Sequence, residues 1–339
     1  MSSVKSHPLA NERNLSRKKT VQLHEPKRRL VALDEFSWVW LGTITLFVVS
    51  AYIAPGTMSK GSLLAMLPFA GMLAIVSTGQ TVVIQQRGLD MSAIGMVALA
   101  GVLMATLGNA LGSQSLAALI TVSIAILVGA LNGFLTSRLS ISPLVATLAV
   151  NALLIGSVRT LTGNAPVSTA STLQEFSHSK FLGLPFSVIF AFLFVGVVWI
   201  ITRKTAVGRR FVAVGINPAA ALAAGIRVNL YQLGAYVVSA VCFAVAGILL
   251  AGFIGSASHT AGNDYLLPAI AAVVVGGTPF TGGKGSVVAS AIAALFMAQL
   301  GQMVLAMGAS AAIQLLVQAL AIFIAVAARG IPGILRRAG

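Results

Sequence analysis

Charge is the property that this sequence has least of. Only 9% of the 339 residues are Asp, Glu, Lys or Arg, whereas 57% are apolar. Soluble domains carry about a quarter charged residues, so this composition excludes an ordinary water-soluble protein. Apolar runs of about 18 residues or more recur, each able to cross a hydrocarbon core of about 30 Å as a helix. The sequence therefore predicts an all-α, polytopic transmembrane helical bundle, because membrane barrel strands would alternate in polarity.

Acidic residues are the scarcer half of these charges. Seven stand against 22 Lys and Arg, which gives a net charge of +15. A nucleic-acid partner would require basic and aromatic residues to interleave, and they do not. Instead, eight basic residues fall within the first thirty positions, and most others lie in short gaps between apolar runs. This distribution is typical of a cytoplasmic face beside anionic lipid, so we expect contact with membrane lipid and no nucleic-acid partner.

Cysteine and histidine are also rare. The only cysteine, Cys242, lies inside an apolar run, which excludes an intrachain disulfide and a cysteine metal cluster and predicts a small packing residue. The four histidines all lie outside the apolar runs. No nucleophile with a nearby base and no metal-ligand spacing is visible. We therefore expect neither an enzyme nor a metal site, and no cofactor bound by this chain.

Ten apolar segments are predicted to cross the membrane. The third and the eighth contain glycine and proline between them, so we expect short or interrupted helices there. With the N-terminus inside, this count places nineteen of the 22 basic residues in the cytoplasm and leaves Lys60, Arg159 and Lys180 outside. The positive-inside rule therefore favours an N-in, C-in topology. The predicted segments are 36–55, 63–85, 91–110, 115–136, 140–160, 185–202, 230–254, 265–281, 286–305 and 310–328.

Charge and hydropathy divide the chain into three parts. Residues 1–35 are basic and lack the apolar stretch of a cleaved signal, which predicts a disordered cytoplasmic tail. Residues 36–330 are the predicted transmembrane domain, and residues 331–339 a short cytoplasmic tail. Within the domain, residues 161–184 form the longest external connection and residues 203–229 the longest cytoplasmic one. Each connection is long enough to offer a docking surface.

A Gly-x-Asp pattern occurs at two predicted helix starts. Gly88-Leu89-Asp90 opens the third span, and Gly262-Asn263-Asp264 opens the eighth, five spans later. An odd number of spans inverts a repeat in the membrane, so the pattern favours inverted five-helix repeats, a common plan among transporters. A chance recurrence at two helix starts, with each aspartate as an N-cap, explains the pattern equally well.

The glycine-rich segment 276–285 (GGTPFTGGKG) is similar to a phosphate-binding loop only at first sight. A Walker loop needs glycine, four residues and then Gly-Lys followed by Ser or Thr. Here Thr278 stands in the position of the first glycine, and Gly285 follows the lysine. The pattern therefore encodes no nucleotide site and predicts a flexible, closely packed turn.

Few acidic groups are placed where they could couple transport to an ion gradient. Ion-coupled carriers usually hold Asp, Glu or His within the membrane. After Glu35 the chain contains only Asp90, Glu175 and Asp264, and Glu175 lies in the external connection. Both aspartates stand at predicted helix starts, where N-capping is the ordinary role. We therefore expect another protein to supply the energy for transport.

The cytoplasmic connection contains the signals of a short helix. Asn217 is a good N-cap, Pro218 suits the first turn, an alanine run propagates the helix and Gly225 can end it. Small side chains would let a two-turn helix over 217–225 fit closely into a groove of a partner. A solvated connector is the alternative interpretation.

Several of these motifs together resemble the membrane permease of the ribose/xylose/arabinose type of ABC uptake systems. The resemblance covers about residues 40–330, and five motifs in the right order are far more specific than any one of them. They are Gly88-Leu89-Asp90-Met91-Ser92, Leu131-Asn132-Gly133, Pro143 to Leu148, Gly208-Arg209 with Gly215-x-Asn217-x-Ala219-Ala220, and the run from Asp264 to Gly285.

The resemblance implies a bacterial inner-membrane subunit that works in a larger assembly. It implies a second permease subunit, either identical or a paralogue, two cytosolic ATPase subunits that hold ATP and Mg²⁺, and a periplasmic solute-binding protein. It also implies that the helix over 217–225 seats on the ATPase. The residues assigned to this coupling are Gly208, Arg209, Asn217, Pro218, Ala219, Ala220 and Gly225.

The sequence departs from the family pattern at a few positions. It has Gln86-Arg87-Gly88 where the family often has Gly-Gly, and Ser92-Ala93-Ile94-Gly95 where the family often has Ser-Val-Gly. Ala289 and Ala293 stand where glycine is usual. These changes affect volume, so they leave the class intact and the identity of the solute open.

Polar residues inside the apolar spans are the candidates for the solute pathway, and Asn151 is the first choice among them. Such groups line wet passages, but they also join helices by hydrogen bonds worth about 0.6 kcal/mol each. The pathway or gating residues that we predict are Asp90, Ser92, Asn132, Asn151, Asp264, Gly276 and Gly277, and the other polar candidates are Thr78, Gln80, Thr81, Gln85, Thr147, Ser239, Gln299, Gln302 and Gln314.

Three functions remain open on this sequence. The first is the permease subunit of an ATP-driven importer for a small sugar or sugar-like solute. The second is an ion-coupled secondary transporter, and the third is a passive facilitator. Pentoses, hexoses, sugar alcohols, nucleosides and a furanosyl signalling molecule are all compatible with the pattern.

Overall fold

The computed structural model describes the backbone of residues 36–338 and the side chains of residues 36–324 and 327. The predicted tail, residues 1–35, lies outside the described residues. Within them the chain forms a helical bundle, which confirms the predicted all-α class. The α-helices are α1 (Trp38–Ile53), α2 (Lys60–Gln85), α3 (Ala93–Leu111), α4 (Gln114–Ser137), α5 (Pro143–Thr162), α6 (Ser171–His178), α7 (Phe186–Lys204), α8 (Ala206–Ile216), α9 (Pro218–Ala223), α10 (Val228–Ile254), α11 (Asn263–Val275), α12 (Val287–Ala306) and α13 (Ala311–Ala338).

Each of the ten predicted spans overlaps one of these helices. Among the described residues, seven helices are long and apolar enough to cross a membrane: α2, α3, α4, α5, α7, α10 and α12. Helix α1, helix α11 and the stretch Ala311–Ile324 of α13 are apolar but shorter. Helix α11 has only 13 residues, as expected for the eighth span. Helix α3 is continuous over 19 residues, so the expectation of a short or interrupted third span is wrong.

The core of the bundle lies where α10 packs against α2, α3 and α4. Its helices approach closely because small residues face each other. A Cβ atom on Gly129 of α4 would lie 2.6 Å from the Tyr236 carbonyl oxygen, and one on Gly133 would lie 2.7 Å from the Leu233 Cα. Cys242 is fully buried among these helices with a free thiol, in agreement with its predicted packing role. Close contact through small residues is how membrane helices gain packing energy without a hydrophobic driving force.

Short additional elements occupy the predicted external connection, residues 161–184. It contains α6 and the two-residue strands β1 (Val167–Ser168), β2 (Lys180–Phe181) and β3 (Leu184–Pro185). Strand β1 pairs antiparallel with β4 (Ser256–Ala257), and β2 pairs with β3. The sequence did not predict these elements, because a helix of eight residues and two-residue pairings leave no hydropathy period to read.

The predicted cytoplasmic connection, residues 203–229, is also helical. It contains α8 and α9, whereas the sequence predicted only one helix, over 217–225. Thr205 begins α8 by accepting a hydrogen bond from the Gly208 amide at 3.1 Å. Helix α9 has six residues and is therefore shorter than the predicted two turns. Helix α13 continues to Ala338, through residues 331–338 of the segment predicted as a tail.

The close approach of α4 to α10 predicts a contrast between two glycines. Gly133→Ala is expected to lower the free energy of unfolding by about 1–3 kcal/mol, because its new methyl group would overlap the backbone at Leu233. Gly234→Ala is the matched control: nothing lies within 4 Å of its Cβ, and alanine favours the helix by about 1 kcal/mol. Thermal unfolding midpoints in the same detergent measure both. Equal midpoints for the two variants would contradict this packing.

Candidate functional site

One end of the bundle gathers the connections that the sequence places in the cytoplasm. The connection from α2 to α3, helix α8 and the connection from α11 to α12 meet there. The Gly283 amide donates to the Gln85 carbonyl oxygen at 2.8 Å, and Arg203 donates to the Gly285 carbonyl oxygen at 2.8 Å. Gly215 of α8 packs against both connections, since a Cβ there would lie 3.1 Å from the Gly283 Cα. Three segments far apart in sequence thus form one surface.

Helix α9 projects from this surface with both of its ends capped. The Asn217 side chain accepts from the Ala220 amide at 3.1 Å, and Pro218 occupies the first helical position. At the other end Gly225 has a φ of +77°, and the amides of Gly225 and Ile226 donate back into the helix, which is the Schellman arrangement. The predicted N-cap, first-turn proline and terminating glycine are all confirmed.

The outer face of this short helix is apolar and exposed. Ala221 is buried, whereas Ala219 and Ala220 are exposed. The neighbouring large side chains are exposed as well, Ile216 to 59% and Leu222 to 65%. Exposed apolar groups grouped on a small surface are typical of an interaction site.

Two predicted coupling residues lie on α8, beside this helix. Gly208 is buried where α8 turns back on α7, because a Cβ there would collide with the carbonyl oxygens of Ile201 and Thr202. Arg209 is exposed at the next position. The structure therefore brings the predicted coupling residues together at one end of the bundle, the backbone turn at Gly208 fixing how α8 leaves α7.

The end of α2 contains a feature that the sequence analysis missed. The Arg87 amide donates to the Ile84 carbonyl oxygen at 2.9 Å, and the Gly88 amide to the Val83 carbonyl oxygen at 3.1 Å. This is a second Schellman motif, and Arg87 stands in the position where glycine is usual, with a φ of +64°. A left-handed backbone costs roughly 1–2 kcal/mol for a residue with a Cβ.

The Arg87 side chain reaches the start of the α9 region. Its Nε donates to the Gly215 carbonyl oxygen at 3.2 Å and its Nη2 to the Ile216 carbonyl oxygen at 2.7 Å. The neighbouring Gln86 donates to the Phe211 carbonyl oxygen at 2.8 Å. The sequence alone marks Arg87 only as a predicted cytoplasmic cation and a departure from the family pattern. The sequence signal that could have indicated this turn is an arginine directly before a glycine at the end of a predicted helix.

A buried polar cluster follows directly after this turn. The Asp90 carboxylate accepts from the Ser92 amide at 3.0 Å and from the Ser92 hydroxyl at 2.5 Å. The Asn132 side chain of α4 donates to the Ser92 hydroxyl at 2.9 Å, and Gln80 of α2 donates to the Asp90 carbonyl oxygen. Asp90, Ser92, Asn132 and Gln80 are all fully buried. Asp90 is therefore not the N-cap of α3, which follows Ser92; its carboxylate binds the residue that does precede that helix.

Two side chains of α5 extend the cluster. The Thr147 hydroxyl accepts from the Met91 amide at 2.9 Å, and the Asn151 side chain accepts from the Gly95 amide at 2.8 Å. Asn151, the first choice for a pathway residue, is half-buried and bound to the first turn of α3. The structure thus gathers Asp90, Ser92, Asn132 and Asn151 around the start of α3, where each forms a bond between segments.

The remaining predicted gating residues do not take part in these hydrogen bonds. Asp264 is exposed in the first turn of α11, where Gly262 and not Asp264 is the N-cap residue. Gly276 packs against α12, since a Cβ there would lie 2.8 Å from the Ser290 amide nitrogen. Gly277 has a φ of +102°, which only glycine adopts readily. The predicted closely packed turn at Gly276-Gly277 is confirmed.

Several other polar candidates join helices at the opposite end or inside the bundle. Gln299 donates to the Thr57 hydroxyl at 3.3 Å and Gln302 to the Ser62 carbonyl oxygen at 3.1 Å. Thr81 donates to the Ser290 hydroxyl at 2.8 Å and so links α2 to α12. These contacts support the helix-joining interpretation for these residues.

Seven helices in the described part of the chain are long and apolar enough to cross a membrane, which defines a multi-pass membrane protein. The comparison with protein families states its kind: the chain belongs to the family described as branched-chain amino acid transport system, permease component, whose model matches residues 62–326. It is therefore a multi-pass protein of the bacterial inner membrane. No solved structure matches the chain.

Several of the similar curated proteins are sugar permeases. The ribose import permease protein of Bacillus subtilis is 32% identical over 85% of this chain and 90% of its own length. The galactofuranose transporter permease protein of Escherichia coli is 36% identical over 70% of each chain. The fructose import permease protein of Bifidobacterium longum is 31% identical over 74% of this chain and 72% of its own. These findings confirm the family resemblance predicted from the motifs.

The hydroxyl of Ser92 connects two fully buried groups, so its removal is expected to destabilise the bundle. Ser92→Ala would leave the Asn132 amide without its acceptor and remove one donor from Asp90. The expected cost is about 1–3 kcal/mol. Ser157→Ala is the control, because this exposed hydroxyl bonds only to the carbonyl of Leu153 on its own helix. An unfolding midpoint for Ser92→Ala as high as that of the control would show that the cluster contributes no stability.

Proposed function

We propose that this chain is the membrane-spanning permease subunit of an ATP-driven ABC importer for a small sugar or sugar-like polar solute. The similar proteins named above import ribose, galactofuranose and fructose, which supports a sugar over the amino acids in the family description. The observation that carries the proposal is helix α9, doubly capped and apolar on its exposed face. Such a helix outside the spans is suited to dock into another protein.

The docking partner in this proposal is a cytosolic ATPase subunit that binds ATP and Mg²⁺. Its groove receives Pro218, Ala219 and Ala220, while Asn217 and Gly225 fix the two ends of the helix. Gly208 sets the turn by which α8 approaches, and Arg209 presents an exposed charge beside it. The alternative of a solvated connector is less well supported, because solvation alone would not favour the exposed Ile216 and Leu222.

The proposed topology has ten spans with both ends in the cytoplasm. It is supported by the grouping of the connections: those around Gln85, Gly215 and Gly283 meet at one end, as the charge distribution requires. Strand β1 meets β4, in a connection predicted to be external. In this proposal the shorter helices α1, α11 and α13 also cross, and one inverted five-helix repeat is α1–α5, the other α7 with α10–α13. The tail 1–35 and the end 331–339 lie in the cytoplasm.

A second permease subunit and a periplasmic solute-binding protein complete the proposed importer. The second subunit is another copy or a paralogue of this chain. The binding protein selects the solute and delivers it to the external face, so the walls of the passage need only weak contacts. Asp90, Ser92, Asn132, Asn151, Asp264, Gly276 and Gly277 are the residues proposed to line or gate the passage.

An ion-coupled carrier is the second candidate, because Asp90 is a fully buried acid inside the bundle. Such groups mark ion or proton sites in secondary transporters. One oxygen of the Asp90 carboxylate accepts two hydrogen bonds from Ser92, whereas the other oxygen is buried and makes no hydrogen bond within the described residues, which leaves it free to hold a proton or an ion. Sugar uptake into liposomes by this chain alone, driven by a proton or sodium gradient, would establish the second candidate and reject the first.

The ATPase interface is tested by a charge placed on α9. Purification of the wild-type chain from its own cells is expected to yield a stoichiometric ATPase. Ala220→Asp is expected to lose it, because a carboxylate on an apolar docking face would be desolvated without a partner. Ala165→Asp is the control and is expected to keep the ATPase, because it makes the same change at an exposed position of the connection predicted to be external. Retention of the ATPase by Ala220→Asp, or its loss from both variants, would contradict this docking face.

A further inference from the structure

We propose that Arg87 is the positioning residue that transmits movement of the ATPase-docking region to the helices around the polar cluster. This inference rests on the proposed function and adds a residue that the family motifs do not single out. Its starting point is the left-handed backbone of Arg87, with a φ of +64°. Strain of this kind persists where the surrounding structure requires it, and it often marks functional positions.

A second Schellman motif in this chain, at the end of α9, has glycine at the left-handed position and is therefore unstrained. Helix α9 ends in this motif with Gly225 at the left-handed position, and α2 ends in it with Arg87. Glycine would make the turn at α2 without strain. Gly88 follows directly, so a second glycine at position 87 would be compatible with the local sequence. The side chain of Arg87 is therefore what distinguishes the two turns.

That side chain binds the end of α8, directly before the docking helix. The carbonyl groups of Gly215 and Ile216 belong to the last turn of α8 and have no acceptor role within a continuing helix. The guanidinium donates to both, at 3.2 and 2.7 Å, and its charge complements the negative end of the helix dipole. Asn217, the N-cap of α9, follows immediately.

Neighbouring residues make the attachment rigid. Gln86 donates to the Phe211 carbonyl oxygen one turn earlier on α8, at 2.8 Å, and the Gln85 carbonyl oxygen accepts from the Gly283 amide at 2.8 Å. Three consecutive residues thus bind two other segments. A displacement of α8 would pull the connection after α2 with it.

The other end of the same connection binds the helices of the bundle. Within five residues of Arg87, the Met91 amide donates to Thr147 of α5, and Ser92 accepts from Asn132 of α4. The backbone between them is held by Gln80, which donates to the Asp90 carbonyl oxygen. One short, hydrogen-bonded segment therefore connects the docking region to α4 and α5. A continuous network of this kind is a physical route for coupling between two sites.

The test compares Arg87→Gly with Ser140→Gly in the complete transporter, reconstituted with its co-purified ATPase and binding protein. Both positions have a left-handed backbone, and Ser140 is exposed at the end of α4. Glycine relieves the backbone strain at both positions. At position 87 this relief offsets part of the free energy that is lost with the two hydrogen bonds of the guanidinium. The measured quantity is sugar taken up per ATP hydrolysed, with ribose, fructose and galactofuranose as probes. Arg87→Gly is expected to lower it roughly tenfold, and Ser140→Gly to leave it unchanged.

A partial rescue separates coupling from folding. Arg87→Lys keeps the charge but replaces the forked guanidinium by a single ammonium, so an intermediate ratio of uptake to hydrolysis is expected. If Arg87→Gly keeps the wild-type ratio, the inference is overturned. That outcome includes a proportional fall of both uptake and hydrolysis. The inference is also overturned if the variant no longer binds the ATPase, since the role of Arg87 would then be structural. Failure of the proposed function would appear earlier, as ATP-independent uptake by the wild-type protein.

Discussion

Backbone contact between α10 and its neighbours is the constraint on which the rest of this structure depends. Inside a membrane, apolar side chains gain little by leaving lipid for protein, so helices must hold together by fitting closely. Glycines at 129 and 133 of α4 and at 247 of α10 allow that fit, because any side chain there would collide with the opposing helix. The resulting core is dense enough to bury amide and carboxyl groups completely. The polar cluster at the start of α3 lies inside this core.

Once buried, those polar groups need partners, and this need organises the end of the bundle at which α8 and α9 lie. The groups around Asp90 and Ser92 draw α2, α4 and α5 to one short segment. In the turn before it, Arg87 satisfies the last two carbonyl groups of α8, and Gln86 binds the Phe211 carbonyl one turn earlier. The same few residues therefore serve both the packing of the spans and the placement of a helix that lies beyond them. The membrane helices and helices α8 and α9 are in this sense one structure.

Much of this could be read from the sequence, and the limits follow from the range of each signal. The helices at the ten predicted segments follow from hydropathy, and the caps of α9 follow from Asn217, Pro218 and Gly225 because those contacts are local. The role of Arg87 could not be predicted, since its acceptors on α8 lie 128 and 129 positions away. Strands β1 and β4 escaped for the same reason: each has two residues, and only the folded chain brings them together. Asp90 looked like a helix cap because the third span was predicted to begin at residue 91, whereas α3 begins at Ala93, after Ser92.

The pairing of β1 with β4 changes how the opposite face can behave. The segment from Thr162 to Phe186 is tied at its ends to α5 and α7, and the pairing of Val167 with Ala257 fastens it to the turn after α10 as well. Helix α6 is wedged alongside, with Leu173 and Ser177 against Gly252. A segment attached at so many points is a fixed part of the bundle and not a loop that moves independently. A molecule that reaches that face therefore meets a preformed surface.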